Sequence, residues 1–132
     1  MDKSIKAIFD YDAHNDILYM RVAKREYEYS IQNDNFIFDL DKKDTINGIE
    51  ILYFSKLVNT SKNILSNLRS GNLHIEISKV EKGTLVKLHI HLECAVRNSS
   101  KVKDLDTERI TEEISVSEPE YLRPANLSLA TA

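Results

Sequence analysis

"LHIEISKVEKGTLVKLHIHLECAV", residues 73–96, decides how this chain is read. Leu73, Ile75 and Ile77 alternate with polar residues before Lys82-Gly83, and Leu88, Ile90, Leu92 and Cys94 alternate with them after it. A period of two marks a strand with one buried face, and the Lys-Gly step supplies a turn, so the stretch predicts a β-hairpin over about 73–96. Opposite residues share a face. Closing at Lys82-Gly83 sets Ile77 against Leu88, Ile75 against Ile90 and Leu73 against Leu92. On the other face, Glu76 then opposes His89 and His74 opposes His91, with Glu93 next along. Directly opposed side chains lie about 4.5–5.5 Å apart at Cβ, within reach of one cation. Imidazole with carboxylate suits zinc and related divalent metals. The candidate metal ligands are therefore His74, Glu76, His89 and His91, with zinc as the implied cofactor. The plainer reading is the favoured one: the polar face of an amphipathic hairpin, with Glu beside His as an ordinary cross-strand pair and no cofactor.

The chain before the hairpin is also β-rich. "SIKAIFDYD" and "DILYMRVA" flank "DAHND", whose Asp and Asn side chains favour a turn. "YEYSIQ" and "NFIFDLD" form a second pair, and "DKKDTINGIEILYF" ends in another strand. The pattern predicts an antiparallel β-meander of about five strands. From Ser55 the period changes, with Leu57, Val58, Ile64, Leu65 and Leu68 on one helical face. Ser55 as N-cap and Gly71 as C-terminal cap predict one main helix over about 55–70. After Val96 core patterning fades. The fold class expected is α+β, with residues 1–96 as a single domain and 97–132 as a C-terminal extension. That extension is expected to be weakly structured, with a short helix around 104–114 and a flexible end.

Length and composition agree with one small globular domain: 132 residues, 42% hydrophobic and 30% charged. The net charge of −3 gives the whole chain no electrostatic footing on nucleic acid. Residues 55–96 hold 6 basic and 3 acidic side chains against an acidic balance on both flanks. Nucleic acid is therefore not the expected partner, and binding through the basic middle segment is kept only as a third, disfavoured reading. One cysteine, Cys94, forbids an internal disulfide and suggests a reducing compartment. "MDKSIKAIFDYD" lacks the apolar core of a signal peptide, and no apolar run reaches membrane-spanning length, so a cytoplasmic protein is expected.

Catalytic motifs are lacking. Gly83 followed by H-x-H looks like the opening of a cupin metal motif, but Ala95 and Val96 stand where its Glu belongs. Asp39, Asp41 and Glu50 fall at calcium-loop positions 1, 3 and 12, yet Lys43 and Asp44 occupy positions 5 and 6. No glycine-rich phosphate loop or nucleophile elbow is present, and Cys94 falls on the apolar side of its strand. No catalytic residue is assigned, and a binding role is favoured over an enzyme.

"FDYDAHNDILYMRV" and "FIFDLDKKDTINGIEILYFSKL" resemble the prokaryotic family known as domain of unknown function 2283. The matching residues are Tyr11, Asp12, Asp16, Leu18, Tyr19, Asp39, Asp41, Gly48, Ile49, Glu50, Ile51 and Leu52, within a likeness covering about residues 5–58. The resemblance implies a compact β-meander followed by a helix, and by association an antitoxin-like or regulatory role. The expected function is protein–protein interaction, as a homodimer or with another protein, through exposed strand edges and the tail. The alternative is a metal-binding protein or small metallohydrolase built on the histidine face.

Overall fold

The computed structural model describes residues 4–22, 26–111 and 126–131. Among them are nine strands and two four-residue helices: β1 (Ser4–Asp12), β2 (Ile17–Val22), β3 (Tyr29–Asn33), β4 (Phe36–Leu40), β5 (Ile46–Leu52), α1 (Phe54–Leu57), α2 (Lys62–Leu65), β6 (Leu68–Val80), β7 (Gly83–Val96), β8 (Ser99–Thr111) and β9 (Asn126–Thr131). The strands form one sheet in the order β3-β4-β5-β2-β1-β9-β6-β7-β8. All neighbours are antiparallel except β1 and β9.

The five N-terminal strands stand where the alternating patterns predict them, but they are not joined as a meander. The β1–β2 hairpin pairs through β2 with β5, and β3 lies at the far edge. A cross-strand fit explains this choice. Leu18, Met20, Ile49 and Ile51 are buried on one face of β2 and β5, where Leu18 opposes Ile51 and Met20 opposes Ile49.

The single helix expected over 55–70 is replaced by two isolated turns. Asn59 takes a left-handed φ of 50°, a conformation Asn tolerates better than most residues, and ends α1. The Ser61 hydroxyl then accepts from the Ile64 N–H at 3.3 Å and starts α2. Phe54, Val58 and Leu65 still reach the core, so the apolar stripe is used without a continuous helix. Gly71 lies inside β6 and caps nothing. A Cβ there would stand 2.6 Å from the Phe9 ring, so close approach of β1 to β6 explains the glycine.

Residues 99–111 also depart from expectation, forming strand β8 where a short helix was predicted from 104. Residues 112–114 of that expected helix, and the chain as far as residue 125, lie outside the described residues. The two antiparallel blocks, β1–β5 and β6–β8, share one core. Phe36, Phe38, Leu18 and Ile51 belong to the same buried cluster as Leu73, Ile75, Leu88 and Leu92. At the ends of the sheet, the Asn33 side chain donates to the Ile110 carbonyl at 2.9 Å, and the Arg109 guanidinium lies 4.3 Å from the centre of the Phe36 ring. The sheet therefore bends until β8 meets the β3–β4 turn.

Candidate functional site

The hairpin predicted over 73–96 is β6–β7, and its faces are as the alternation requires. Leu73, Ile75 and Ile77 are buried with Val86, Leu88, Ile90, Leu92 and Cys94. The register differs by two residues. The turn is Glu81-Lys82, so Val80 pairs with Gly83, Ile75 with Leu88 and Leu73 with Ile90. A slip of two exchanges neighbours but leaves every side chain on its face. His74 consequently opposes His89, Glu76 opposes Lys87, and Asn72 opposes His91.

β8 completes the polar face. Across β6, β7 and β8 run three rows: Glu76, Lys87 and Glu108; His74, His89 and Asp106; Asn72, His91 and Asp104. Each base on β7 meets an acid on β8. Lys87 Nζ lies 3.6 Å from Glu108 Oε1, His89 Nδ1 bonds Asp106, and His91 Nδ1 lies 2.8 Å from Asp104 Oδ1. Asp104 Oδ1 is also 3.6 Å from His89 Nε2, and Glu93 Oε1 is 3.7 Å from His91 Nε2. His74 sits apart from these acids, with Glu76 Oε1 3.9 Å from its Nε2. Hydrogen bonding to Asp104 raises the His91 pKa above its ordinary value against an opposing effect of burial, and the charges of Asp104 and Glu93 act in the same upward direction. Beside the middle row lies an open depression of about 350 Å³ lined by His74, Glu76, Lys87, His89, Asp106 and Glu108.

The structure thus brings His89 and His91 together with two acids that were not among the expected ligands, Asp104 and Asp106. His74 and Glu76 share the face but belong to its other side. Among the described residues no group of three or more His, Cys, Asp or Glu side chains is placed so that it could hold a metal ion. Cys94 is fully buried and burial pushes its thiol pKa up, which removes it from nucleophilic chemistry.

β8 has a second property. It is thirteen residues long, and among the described residues no strand pairs with its outer edge. Val102 and Ile110 on it are 47% and 52% exposed, among the more exposed large apolar side chains described.

The residues carrying the family likeness are placed differently. Asp16, 5% exposed with φ 57°, accepts the Tyr11 hydroxyl at 2.6 Å, the Ser55 N–H at 2.9 Å and the Ser55 hydroxyl at 2.6 Å. Its carbonyl accepts the Phe54 N–H at 3.1 Å. Asp12 accepts from Asn15, Asp41 accepts the Lys43 and Thr45 N–H groups, and Asp39 is buried and accepts the Ser30 hydroxyl at 2.7 Å. These acids hold turns and strands together. Their oxygens serve backbone and hydroxyl donors, which accounts for the calcium-loop spacing of Asp39 and Asp41 without an ion.

Comparison with known proteins matches the same part of the chain. The model of a family described as protein of unknown function, DUF2283, covers residues 8–55. A Methanosarcina mazei protein bearing the provisional name hypoxanthine phosphoribosyltransferase is 31% identical over 104 residues, 79% of this chain and 81% of its own. An uncharacterised Methanocaldococcus jannaschii protein is 32% identical over 101 residues, 76% of this chain and 84% of its own. No solved structure matches at a significant level.

Proposed function

Because the chain belongs to the DUF2283 family, whose description supplies no activity, we propose a role from its geometry: it is a binding module that accepts an extended segment of another protein along the open edge of β8. The observation that carries this reading is the thirteen-residue edge strand, with exposed Val102 near its start and Ile110 near its end, where the Ile110 carbonyl is already taken by the Asn33 side chain and the available edge stops. An unpaired row of N–H and C=O groups is a template for strand addition, with affinity from the backbone and selectivity from alternate side chains.

A second copy of the chain is the less favourable occupant of that edge. Antiparallel self-pairing about Leu105 sets Asp104 against Asp106 and Lys101 against Arg109, and centring on Asp106 sets Asp104 against Glu108 and Lys103 against Arg109. Like charges directly opposed are destabilising. A different partner, alternating basic and acidic side chains in step with β8, avoids that cost. The phosphoribosyl transfer in the M. mazei relative's name finds no support in these residues. A phosphate cradle needs a glycine-rich turn opening a helix, whereas Gly48, Gly71 and Gly83 all lie in strands.

The test uses the alternation of a strand, in which successive residues present their N–H groups to opposite edges. Val102→Pro and Lys103→Pro are compared with the wild type. One removes a bond to β7 and lowers stability. The other blocks only the outer edge, keeps the melting temperature within a few degrees, and abolishes co-purification of the partner. Equal capture by the stable variant and the wild type would overturn strand addition.

A further inference from the structure

From the alternation of charge along β8, we propose that the segment its edge accepts is a basic strand, with Lys or Arg at every second position facing Asp104, Asp106 and Glu108 and an apolar side chain facing Leu105. This inference rests on the strand-addition reading and names the chemistry of the partner that fits it.

The two sides of β8 differ in charge. Asp104, Asp106 and Glu108 are exposed on the outer side of the sheet, while Lys103, Leu105 and Arg109 are partly exposed on the inner side, where Leu105 packs against the core. Residues directly opposite on neighbouring strands share a face, at about 4.5–5.5 Å between Cβ atoms, so each outward side chain of an added strand stands beside an outward side chain of β8. Three carboxylates at every second position favour three bases there and penalise acids. On the inner side the same strand meets Lys103 and Arg109, where acids fit, and Leu105, where an apolar residue extends the cover of the core. The Asn33 bond to the Ile110 carbonyl closes the far end, so the fitting stretch is 102–109.

β7, on the paired edge of β8, already has the pattern inferred for the partner. Lys87, His89 and His91 oppose Glu108, Asp106 and Asp104, and the residues between them, Leu88 and Ile90, are buried. These pairs leave the acids accessible: Asp104, Asp106 and Glu108 keep 49%, 77% and 64% of their side-chain surface exposed. Each acid also meets β7 through a single oxygen, Oδ1 of Asp104 and Asp106 and Oε1 of Glu108. A carboxylate has two acceptor oxygens, so among the described residues each of the three retains one for a base on its other side. The added strand would continue across the sheet the order that β7 and β8 begin, base beside acid beside base.

The experiment is fluorescence anisotropy of a labelled peptide, Glu-Lys-Thr-Lys-Val-Lys-Glu-Ile, titrated with the full chain. In antiparallel pairing its three Lys face Glu108, Asp106 and Asp104, and its Val faces Leu105. A control peptide has Glu in place of the three Lys. Expected are saturable binding of the basic peptide, binding of the control weaker by about tenfold or more, and weakening of the basic peptide in about 0.5 M salt. Binding should be lost in whichever of Val102→Pro and Lys103→Pro keeps the wild-type melting temperature. Asp106→Lys should weaken the basic peptide and strengthen one with Glu at its middle Lys, an exchange that misfolding does not imitate. Circular dichroism checks folding, and Asp106→Asn, expected to weaken the basic peptide, serves if Asp106→Lys is unfolded. Equal binding of the basic and control peptides, with both lost in the stable proline variant, overturns the charge selection and leaves strand addition standing. Binding of the basic peptide that survives that proline overturns the edge as its place. Absence of saturable binding at about 1 mM also overturns the inference, while co-purification of a partner decides strand addition separately.

Discussion

The β1–β5 block and the β6–β8 block spend their polar side chains in opposite ways. In the first, Asp16, Asp39, Thr45 and Asn47 are buried, and the Asp16 oxygens are taken by Tyr11 and Ser55. In the second, the acids and bases form pairs on an exposed face, where His89, Asp104, Asp106 and Glu108 remain about half exposed or more. Asp16 and Asp39 are satisfied within the fold, and Asn47 donates to the Glu26 carbonyl, although its Oδ1 has no partner among the described residues; the outward groups stay open to solvent. The family model ends at Ser55, the residue that completes the bonds to Asp16, so it spans the inward set and stops before the outward one.

The strongest way to break the comparison is to remove one acid from each block. Asp16→Ala strips partners from two part-buried hydroxyls and a part-buried N–H, and should cost about 3 kcal/mol by urea unfolding. Asp106→Ala, on the exposed face, should cost below about 1 kcal/mol. Equal losses would erase the distinction. The pH dependence sharpens it. Burial acts to raise the Asp16 pKa, but bonds from Ser55 and Tyr11 outweigh it and hold the carboxyl below its ordinary value. A folded pKa below the unfolded one gives stabilisation that is full above the unfolded value, about 3.9, and is lost as pH falls through the folded value. Wild-type stability should therefore fall more steeply below about pH 4 than that of Asp16→Asn. Parallel acid limbs for the two proteins would show that Asp16 contributes no such linkage.

The join between the blocks gives the next effect. Gly71→Ala places a methyl 2.6 Å from the Phe9 ring and 3.1 Å from Leu92, and should destabilise by about 1–3 kcal/mol. Phe9→Ala in the same chain should recover part of that loss, because the ring is the main obstacle. A double mutant whose loss equals the sum of the single losses would mean that β1 and β6 are not packed against each other there.

How much of this was legible in the sequence follows from what each signal encodes. Alternation in Leu73, Ile75 and Ile77 and in Leu88, Ile90 and Leu92 reports a face, and the faces agree with the structure. It does not report a neighbour, since a register shift of two preserves it, and so His74 was matched with His91 rather than His89. The stripe Leu57, Val58, Ile64 and Leu65 satisfies a helical period, but periodicity does not register that Asn59 turns left-handed in its middle; the Asn59-Thr60-Ser61 run was the available warning. Asp104 and Asp106 were missed because they lay in a stretch read as helical. Their signal was the match in spacing between "HIH" at 89–91 and "DLD" at 104–106, which becomes meaningful once β7 and β8 pair. The order β5 beside β2 had no local signal, because it depends on contacts between distant strands.

The smallest effect is the most discriminating for the outer face. Lys87 and Glu108 are 47% and 64% exposed and 3.6 Å apart, so solvent screens their attraction, and a double-mutant cycle to Ala should return a coupling of about 0.2–0.5 kcal/mol. The coupling should shrink further in 0.5 M salt, as expected for an exposed ion pair. A value near 2 kcal/mol would mean that the rows of β7 and β8 act as structural cement like Asp16, and the exposed face would then belong to folding rather than to binding. A small value leaves β8 held chiefly by its backbone bonds to β7 and by Leu105 and Arg109 on the inner side. The charges above it then contribute little to the stability of the fold.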